Sequence, residues 1–492
     1  MQVCVIGSGC GGATAARALA EAGFEVLVLE EGGDYSGSQL TQREGEMYDR
    51  LYMDRAGRAT SDLGITILQG RVLGGGGVIN MSDVVPISDA VLGHWQSSYG
   101  LSDFGVEQMA PHQERALKDL SAQRIPEDQL NRNNRLLRSG AIRLGWQGEN
   151  MMHNRVGCRG IGACLIGCAA NAKRNPRMTV IPEAIKAGAQ FWIRARALRI
   201  EDGTKELKTI HVERLDELGH HRLGTLRLKA KIVILAANAV ASAELLLRSG
   251  LGNSHVGRHL SLQPQIPVVA EYAEDVRMFR GIPQAYAITE FEKTDDPERG
   301  WWGLRIESIG SGPGNAAGLL PLFGSAGKEL MARYPKLAAA LVLTPDESVG
   351  RVRVKRSGRL EIDYALTDEL RSRYKQGIRA AAQAYLAAGA LQVIIPSTTP
   401  LFLRSESDLQ KIDDLAFRPL ELPMISAHQQ GGLRFATSTK HGAADPTGQI
   451  YGTRDMYVMD SSGFPSTASS HTMAPIMTVS NYLSAGLVAA RG

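Results

Sequence analysis

Cysteine, aromatic side chains and net charge are all scarce in this sequence. Its 492 residues include five cysteines, 6% are aromatic, and the formal net charge is +4. A long Lys/Arg run with interleaved aromatic residues is missing, which excludes the usual pattern of a nucleic-acid-binding protein. Three of the five cysteines fall within eleven residues, which in a reducing compartment indicates a site and not a disulfide framework. We therefore expect a small-molecule substrate.

Signals for export and for membrane insertion are also missing. The chain begins with a strand-like run, MQVCVIG, and shows no basic leader, signal-type apolar segment or twin-arginine motif. Apolar runs do not approach the length that crosses a bilayer, so we predict no transmembrane segment, which is compatible with docking on a membrane-bound partner. We expect a cytoplasmic protein.

The composition that remains is that of a globular protein rich in glycine. Hydrophobic residues make up 43% and charged residues 22%, and 54 residues are glycine, which indicates many close backbone approaches. A chain of this length exceeds the size at which one hydrophobic core keeps growing. We therefore expect two domains, or one domain with a large insertion.

A nucleotide-binding motif stands at the N-terminus. Residues 2–7, QVCVIG, predict a strand, Gly7, Gly9 and Gly12 follow in GSGCGG, and GATAARALAEAG predicts a helix. In such a unit the glycines permit a tight turn and a close approach to a pyrophosphate, which the helix N-terminus binds. Glu30 ends the next strand, FEVLVLEEG, where a carboxylate can accept hydrogen bonds from both ribose hydroxyls. Because the strand, the helix and the acidic residue follow one another at the spacing of such a unit, the sequence predicts a dinucleotide-binding site.

Two later segments fit the same site. GRVLGGGGVIN, residues 70–80, places four glycines between a basic residue and an asparagine, which suits backbone lying against a planar cofactor and its diphosphate. A flexible surface loop is the alternative. KIVILAANAVASAELLLRSGL, residues 231–251, predicts a returning strand and helix of the same nucleotide fold.

These motifs, taken in order, resemble one family, the glucose–methanol–choline (GMC) FAD-dependent oxidoreductases. The resemblance also includes VGRHL and a C-terminal block from SAHQQGG onward, so it covers nearly the whole chain. It implies an α/β FAD-binding domain, Rossmann-like with a mostly parallel sheet and ββα elements, and an α+β substrate domain with an antiparallel sheet. We expect the FAD-binding domain at residues 1–264 and 426–492 and the substrate-binding domain at residues 265–425.

The resemblance also implies which residues contact FAD. They are Gly7, Gly9, Gly12, Glu30, Gly74, Gly75, Asn80 and Asp460. Covalent-flavin members carry a histidine beside the Gly-rich segment; GGGGVIN has none, so we expect non-covalent FAD. The chain departs from the family at Asn238, where glycine is usual, and at Cys10, which we interpret with Cys4 as a buried packing thiol.

Two histidines match the catalytic positions of the family. Alcohol oxidation needs a base for the hydroxyl proton, and histidine titrates near the working pH. His428, in ISAHQQGG, matches the base, and His471, in SSHTMAPIM, matches the second position, to which we assign an orienting role. The alternative is that His471 lies in a cap of the last helix, because Ser469 and Ser470 are good capping residues. The remaining histidines include His211, His220 and His221 in a polar segment, which we expect to be solvated.

The clustered cysteines, Cys158, Cys164 and Cys168, lie in the Gly-rich segment GCRGIGACLIGCAANAK. Converging thiolates can hold an iron–sulfur cluster. The same spacing occurs in the multi-subunit glucose and fructose dehydrogenases of the family, so the resemblance implies a possible 3Fe-4S cluster. Other relatives have a similar loop with an extra cysteine where Ile161 stands here. A relic or a zinc-stabilised loop is the equal alternative.

The middle of the chain shows a change of pattern. RVRVKRSGRLEIDY, residues 351–364, predicts a hairpin at Ser357-Gly358. TDELRSRYKQGIRAAAQAYLAAGA predicts an amphipathic helix closed by Gly389. The apolar segments around Trp301-Trp302 and ELMARYPKLAAALVL are interpreted as core or surface helix and not as a lipid-binding site.

The resemblance favours FAD-dependent oxidation of a CH–OH group to a carbonyl, with a sugar, glycoside or polyol as the first substrate class. A long-chain or sterol-like alcohol is the alternative substrate. A hydroxynitrile lyase that uses FAD structurally is an alternative from another class. The electron acceptor is either oxygen or a partner protein, the latter if the chain is the catalytic subunit of an electron-transfer complex.

Overall fold

The computed structural model describes residues 1–202, 206–294, 300, 303–320 and 322–491. Within them the helices α1 to α12 are Cys10–Glu21, Glu44–Leu51, Gly76–Ile79, Asp89–Tyr99, Val106–Asp119, Arg132–Arg143, Val180–Lys186, Ala239–Ser249, Pro313–Leu319, Gly324–Ala332, Asp368–Ala387 and Met473–Arg491. The strands β1 to β12 are Val3–Ile6, Val26–Leu29, Ile65–Ile67, Gln123–Arg124, Gly148–Asn150, Met152–His153, Gln190–Trp192, Ala195–Glu201, Lys208–Leu215, Arg222–Ala230, Ile232–Leu235 and Arg258–Ser261. The strands β13 to β23 are Ile266–Glu271, Tyr286–Ile288, Arg305–Ser308, Leu337–Leu343, Gly350–Val354, Leu360–Asp363, Gln392–Ile395, Leu401–Leu403, Met424–Ser426, Gln430–Gly432 and Met456–Val458.

A five-stranded parallel sheet carries the N-terminal motif. Its order is β23-β11-β1-β2-β7, and all residues of β1, β2, β11 and β23 are buried, as in strands covered on both faces. Helix α1 packs on β1 and β2 and contacts α7 and α12. The carboxyl ends of β1 and β2 therefore bring Gly7 and Glu30 to one edge. This is the predicted Rossmann-like arrangement.

A seven-stranded antiparallel sheet forms the second large layer. Its order is β20-β19-β13-β16-β15-β14-β5. Helix α11 packs on β13, β16 and β19, and α6 packs beside α11. Smaller sheets complete the described chain, among them the antiparallel β10-β9-β8 and the four-stranded β18-β17-β12-β22. The predicted α+β part with an antiparallel sheet is confirmed.

The predicted hairpin and long helix are both present. Strands β17 and β18 pair antiparallel around Gly358, whose φ is +82°. Helix α11 begins after Thr367, whose side chain accepts a hydrogen bond from the Leu370 N–H, and Gly389 follows its end with φ +89°. Trp301-Trp302 lies outside the described residues.

One helical interpretation is wrong. The end of ELMARYPKLAAALVL forms β16, which is buried along its whole length between β13 and β15. A short apolar run has the same appearance in a buried strand and in a buried helix, so periodicity alone could not distinguish them.

Helix α12 is long and apolar enough, by length and composition, to cross a membrane. The prediction that no apolar run approaches this length is therefore wrong for α12 considered alone. Its most apolar window is 61% buried, and the helix packs against α1 and α5. A buried core helix meets the same criterion, because a helix that is hydrophobic on most sides belongs in either environment.

Candidate active site

A cavity of about 730 Å³ lies between the parallel sheet and the antiparallel sheet. Eight of the ten residues predicted for the FAD and catalytic sites line it: Gly7, Gly9, Glu30, Gly75, Asn80, His428, Asp460 and His471. Gly12 and Gly74 lie behind the wall. A Cβ on Gly12 would lie 2.0 Å from the Gly7 carbonyl oxygen, and Gly74 donates its N–H to Ser8 Oγ at 3.1 Å. Both glycines thus shape the cavity through packing.

The first Gly-rich turn is fixed by contacts of the backbone. Gly7 has φ +103°, and a Cβ there would lie 2.2 Å from the Ala236 carbonyl oxygen. Gly9 is the N-cap of α1, whose first-turn N–H groups lie at the cavity edge, where a pyrophosphate binds in such units. Cys10, expected to be a packing thiol like buried Cys4, lines the cavity as the first residue of α1.

Glu30 is a buried carboxylate held by three donors. One oxygen accepts from the Ser8 backbone N–H and hydroxyl at 3.2 and 2.6 Å, and the other accepts from the Gly32 N–H at 2.8 Å. Burial raises the pKa of Glu30 above its usual value, against these hydrogen bonds. The carboxylate is therefore fixed in orientation at the cavity wall, as an acceptor for ribose hydroxyls must be.

The second Gly-rich segment packs against the first. Gly75 has φ +59°, and a Cβ there would lie 2.7 Å from the Gly9 Cα. Asn80 accepts a hydrogen bond from the Ser82 N–H at 3.1 Å and lies beside Met473 of α12. Two glycine backbones thus meet, and the alternative of a free surface loop is wrong.

Asp460 links two chain segments at the same cavity. Its carboxylate accepts from the Asn238 N–H at 2.9 Å, the Ser242 hydroxyl at 2.7 Å and the Ser462 N–H at 2.8 Å. Asn238 replaces the usual glycine with φ +82°, and its side chain accepts from the first N–H groups of α8. Asparagine therefore keeps the backbone conformation and adds a helix cap.

The residues around this end of the cavity fit a bound FAD. Two Gly-rich backbones, a helix N-terminus and two oriented carboxylates converge there, which are the elements that bind a dinucleotide. Arg196 and Arg248 also line this end and were missed, since they belong to no local motif.

The two histidines lie edge to face in the part of the cavity where its nucleotide end meets the antiparallel sheet. Their ring centroids are 4.7 Å apart with the planes at 75°. His428 Nδ1 lies 3.0 Å from Gln263 Oε1 and 3.1 Å from Gln265 Nε2. Burial, and then the charge of His471, lower the pKa of His428 to about 3. His428 is therefore neutral at pH 7, and its pKa lies below the near-neutral value expected from the sequence.

His471 has the opposite electrostatic environment. Its Nε2 lies 3.0 and 2.9 Å from the two carboxylate oxygens of Glu307, and its Nδ1 lies 4.0 Å from Asp83. Burial opposes charge on the ring, but Glu307 and Asp83 outweigh it and raise the pKa of His471. Arg305 lies 2.7 Å from Glu307 and helps to keep that carboxylate ionised. The ring of His471 is thus engaged by a carboxylate of β15, and helix capping does not explain its position.

Glu307 and Asp83 were not identified from the sequence. Glu307 lies 164 residues from His471 along the chain, on a strand of the antiparallel sheet. The available signal was the pair of charges in LRIESIG, which alternate with isoleucine and must share one face of a buried strand. Of the histidines expected to be solvated, His221 is exposed, whereas His211 is half-buried beside Glu201 and the His220 side chain contacts Asp49.

The cysteine loop lies behind the second Gly-rich segment. Cys164 starts a single 3₁₀ turn, and Lys173 joins the loop to the segment by donating to the carbonyls of Cys164 and Val78, each at 2.9 Å. Across the described ranges, no three His, Cys, Asp or Glu side chains are placed to hold a metal ion. Cys158, Cys164 and Cys168 therefore do not fit an iron–sulfur cluster in this arrangement.

Comparisons with known proteins agree with the geometry. The GMC oxidoreductase models match residues 48–265 and 346–480, and a model of an NAD(P)-binding Rossmann-like domain matches residues 5–68. An uncharacterized GMC-type oxidoreductase of Mycobacterium tuberculosis is 31% identical over 482 residues, which cover 96% of this chain and 74% of that protein. The long-chain-alcohol oxidase FAO3 of Arabidopsis thaliana is 28% identical over 511 residues, covering 98% of this chain and 67% of that protein.

Solved structures show the same fold. Pyridoxine 4-oxidase from Mesorbium loti superposes with a TM-score of 0.73 at 15% identity, covering 99% of this chain and 98% of that one. An Aspergillus oryzae formate oxidase carrying the R554K change, studied for FAD modification, gives a TM-score of 0.71 at 13% identity over 100% of this chain and 98% of its own. Domain models, whole-chain relatives and fold together lead to one conclusion: the chain belongs to the GMC oxidoreductase family, FAD-dependent enzymes that act on alcohol donors.

Proposed function

We propose that this enzyme oxidises the CH–OH group of an alcohol with an apolar body, and that His428 accepts the hydroxyl proton while His471 orients the substrate. The observation that carries the proposal is the pair of adjacent imidazoles, with ring centroids 4.7 Å apart, whose neighbours shift their pKa values in opposite directions. A neutral ring can accept a proton, and a charged ring beside it can stabilise the developing alkoxide. The pair lies where the nucleotide end of the cavity meets the antiparallel sheet.

The hydrogen bonds of His428 indicate which ring nitrogen is the base. Gln263 uses its side-chain NH₂ on the Ser469 carbonyl at 3.2 Å, so its amide oxygen faces His428 Nδ1. An oxygen there requires a proton on Nδ1, which leaves Nε2 as the acceptor. Gln265 Nε2 lies 3.1 Å from the same Nδ1, so this tautomer also requires the Gln265 amide to be turned by 180°, which exchanges its nitrogen and oxygen.

His471 has the complementary role. Its Nε2–H donates to Glu307, so its Nδ1–H is left for the substrate oxygen. Bound FAD would supply the acceptor for the hydride that leaves the substrate carbon. The buried Glu307–Arg305 pair keeps the imidazolium charged and fixes its plane while the proton moves to His428.

The wall of the antiparallel sheet supports an apolar substrate. Alternate positions along β13 and β16 face the cavity. Pro267 of β13 pairs with Leu341 of β16, and Val269 pairs with Ala339. From Gln265 at the histidines to Val269 is four residues, or about 13 Å of extended strand. Ala316 and Leu319 of α9, and Leu320 after it, add apolar lining beside the polar Asn315.

The sugar or polyol that the sequence favoured first stays an untested prediction, and this lining favours the long-chain alternative. A sugar exposes several hydroxyls, which need buried donors and acceptors when they leave water. The relative FAO3 is a long-chain-alcohol oxidase, which agrees with an apolar substrate body.

The test is anaerobic mixing of the FAD-loaded enzyme with 1-decanol, with glucose and with a cyanohydrin. We expect bleaching of the flavin absorbance by 1-decanol to be the fastest. Faster bleaching by glucose would restore the sugar assignment. Cleavage of the cyanohydrin to aldehyde and cyanide without bleaching would identify a lyase.

The remaining predictions from the sequence are untested. We propose the domain division at 264/265 and 425/426, non-covalent FAD, a cytoplasmic address, and oxygen as the acceptor in preference to a partner protein. Oxygen fits the FAO3 relative, whose name is that of an oxidase. A 3Fe-4S cluster at Cys158, Cys164 and Cys168 would require the loop to rearrange, because the described side chains do not converge.

A further inference from the structure

A buried series of polar side chains begins at the cysteine loop. Arg155 Nη1 lies 3.2 Å from Cys164 Sγ and 3.9 Å from Cys158 Sγ, so both thiols share one donor. On its other side Arg155 Nε donates to His153 Nδ1 at 2.8 Å. Arg155 is 6% exposed and His153 is fully buried. The guanidinium therefore joins two sulfurs to a histidine away from solvent.

The series continues to the active site. His153 Nδ1 is an acceptor, so its proton is on Nε2, which lies 2.6 Å from Asp83 Oδ1. The other oxygen of Asp83 lies 4.0 Å from His471 Nδ1, the atom that we assign to the substrate oxygen. Asp83 is 3% exposed. A change at the sulfurs can therefore reach His471 through the side chains of Arg155, His153 and Asp83.

The charge around the loop favours reactive sulfur. Arg155 and Lys173 are both buried cations, and the amine of Lys173 is bound by backbone carbonyls. The loop is partly open to solvent, because Cys158 is half-buried and Ile161 is exposed. Cysteines in partly exposed, electropositive surroundings are the ones that undergo thiol chemistry. Gly160 and Gly162, both at positive φ, lie between the two cysteines and let the segment turn while it packs against the backbone of residues 279–281.

We propose that Cys158 and Cys164 form a reversible disulfide that controls the position of His471. A thiolate of the pair attacks a small disulfide such as oxidised glutathione and releases one thiol. The second cysteine then attacks this mixed disulfide and releases the second glutathione thiol. Two electrons thus pass to glutathione disulfide, and an S–S bond forms within the loop. A disulfide sulfur cannot become anionic, so Arg155 loses these partners and His153 and Asp83 reorient. The control of His471 rests on the function proposed above, whereas the disulfide does not.

The disulfide is tested on the FAD-loaded enzyme without any activity measurement. The protein is incubated with oxidised glutathione, alkylated and mapped by mass spectrometry, before and after reduction. We expect a cross-link between Cys158 and Cys164 that is reversed by dithiothreitol, absent in Cys158→Ser and retained in Cys168→Ser. Complete alkylation of Cys158 and Cys164 after oxidation, or a cross-link that uses Cys168, would overturn the proposal.

The coupling is tested by the rate of anaerobic flavin reduction as a function of pH. The oxidised wild type should be slower than the reduced wild type by at least about 5-fold, the lower end of ordinary coupling between sites. The pH profile should also move, because Asp83 contributes to the charge of His471. Cys158→Ser should not respond to oxidant. Equal rates and equal profiles for both redox forms would refute the coupling. If no alcohol reduces the flavin, the function is refuted while the cross-link result stands.

Discussion

At the scale of single residues, the catalytic proposal depends on one asymmetry between two histidines. His428 is neutral because burial removes it from water, whereas His471 is charged because Glu307 and Asp83 face it. A mixed pair can accept a proton on one ring while the other stabilises negative charge. Two histidines therefore perform different roles because their neighbouring residues differ.

Glu307→Gln tests this asymmetry. The folded pKa of His471 is raised, so its charged form is present at low pH and is lost as the pH rises through that pKa. Removing the carboxylate charge should lower this pKa, and the alkaline limb of flavin reduction should move to lower pH. The rate at neutral pH should fall by ~10-fold or more, since truncating a partner of a buried ion pair is costly.

Glu292→Gln is the matched control, because Glu292 pairs with the same Arg305 but is separated from His471 by Glu307. Its pH profile should keep the wild-type position. An unchanged profile in Glu307→Gln, or an equal displacement in both variants, would contradict the role of Glu307.

At the scale of secondary structure, two meeting glycine turns form the cofactor wall and two paired strands form the substrate wall. Gly7 and Glu30 could be predicted because each directly follows its strand, and Gly9 because it directly precedes α1. His428 and His471 could be assigned only by resemblance, and Glu307 was missed because its contact spans 164 residues. Strand β16 was misread because a fully buried run carries no alternation.

Gly75→Ala tests the cofactor wall. A methyl group there would lie 2.7 Å from the Gly9 Cα and would separate the two Gly-rich segments. We expect the purified variant to retain at most about a tenth of the wild-type FAD, a loss of about 1.4 kcal/mol or more in binding. Gly145→Ala is the control, because Gly145 also has positive φ, at +73°, but faces open space. Similar FAD loss in both variants would show that backbone strain and not contact is responsible.

Ala339→Met tests the substrate wall. The longer side chain would fill the part of the cavity beside Val269 and exclude the distal part of a long substrate. The ratio of kcat/KM for 1-butanol to that for 1-decanol should rise about 10-fold or more, as expected when several methylenes lose their contacts. Because both substrates are measured on the same variant, this ratio does not change when the substitution lowers activity toward all alcohols equally. A constant ratio would indicate that the alcohol body lies elsewhere.

At the scale of the whole molecule, the chain is a GMC oxidoreductase in which a cavity separates a nucleotide sheet from an antiparallel sheet. The family could be predicted because its motifs lie in order along the chain. The substrate class could not, because the cavity lining comes from strands and a helix that meet only after folding. Helix α12 shows the same limit, because its apolar composition does not distinguish a buried core helix from a membrane-spanning helix until its burial is known.

Iron content and the visible spectrum of protein purified without oxygen provide a test at this scale. We expect a flavin spectrum without stoichiometric iron, because the described side chains do not converge on a metal ion. About three irons per chain, the number in a 3Fe-4S cluster held by three thiolates, would show that the cysteine loop rearranges around a cluster. That result would also displace the disulfide proposal.

The most direct test of the central claim is the rate of anaerobic flavin reduction by 1-decanol in the wild type and in His428→Ala, both loaded with FAD. The account predicts equal FAD content, rapid bleaching in the wild type, and reduction at least ~10²-fold slower in the variant, the usual contribution of a positioned base. His211→Ala, a change at a residue of β9 that does not line the cavity, should reduce at the wild-type rate. Equal rates in the wild type and His428→Ala would contradict the account.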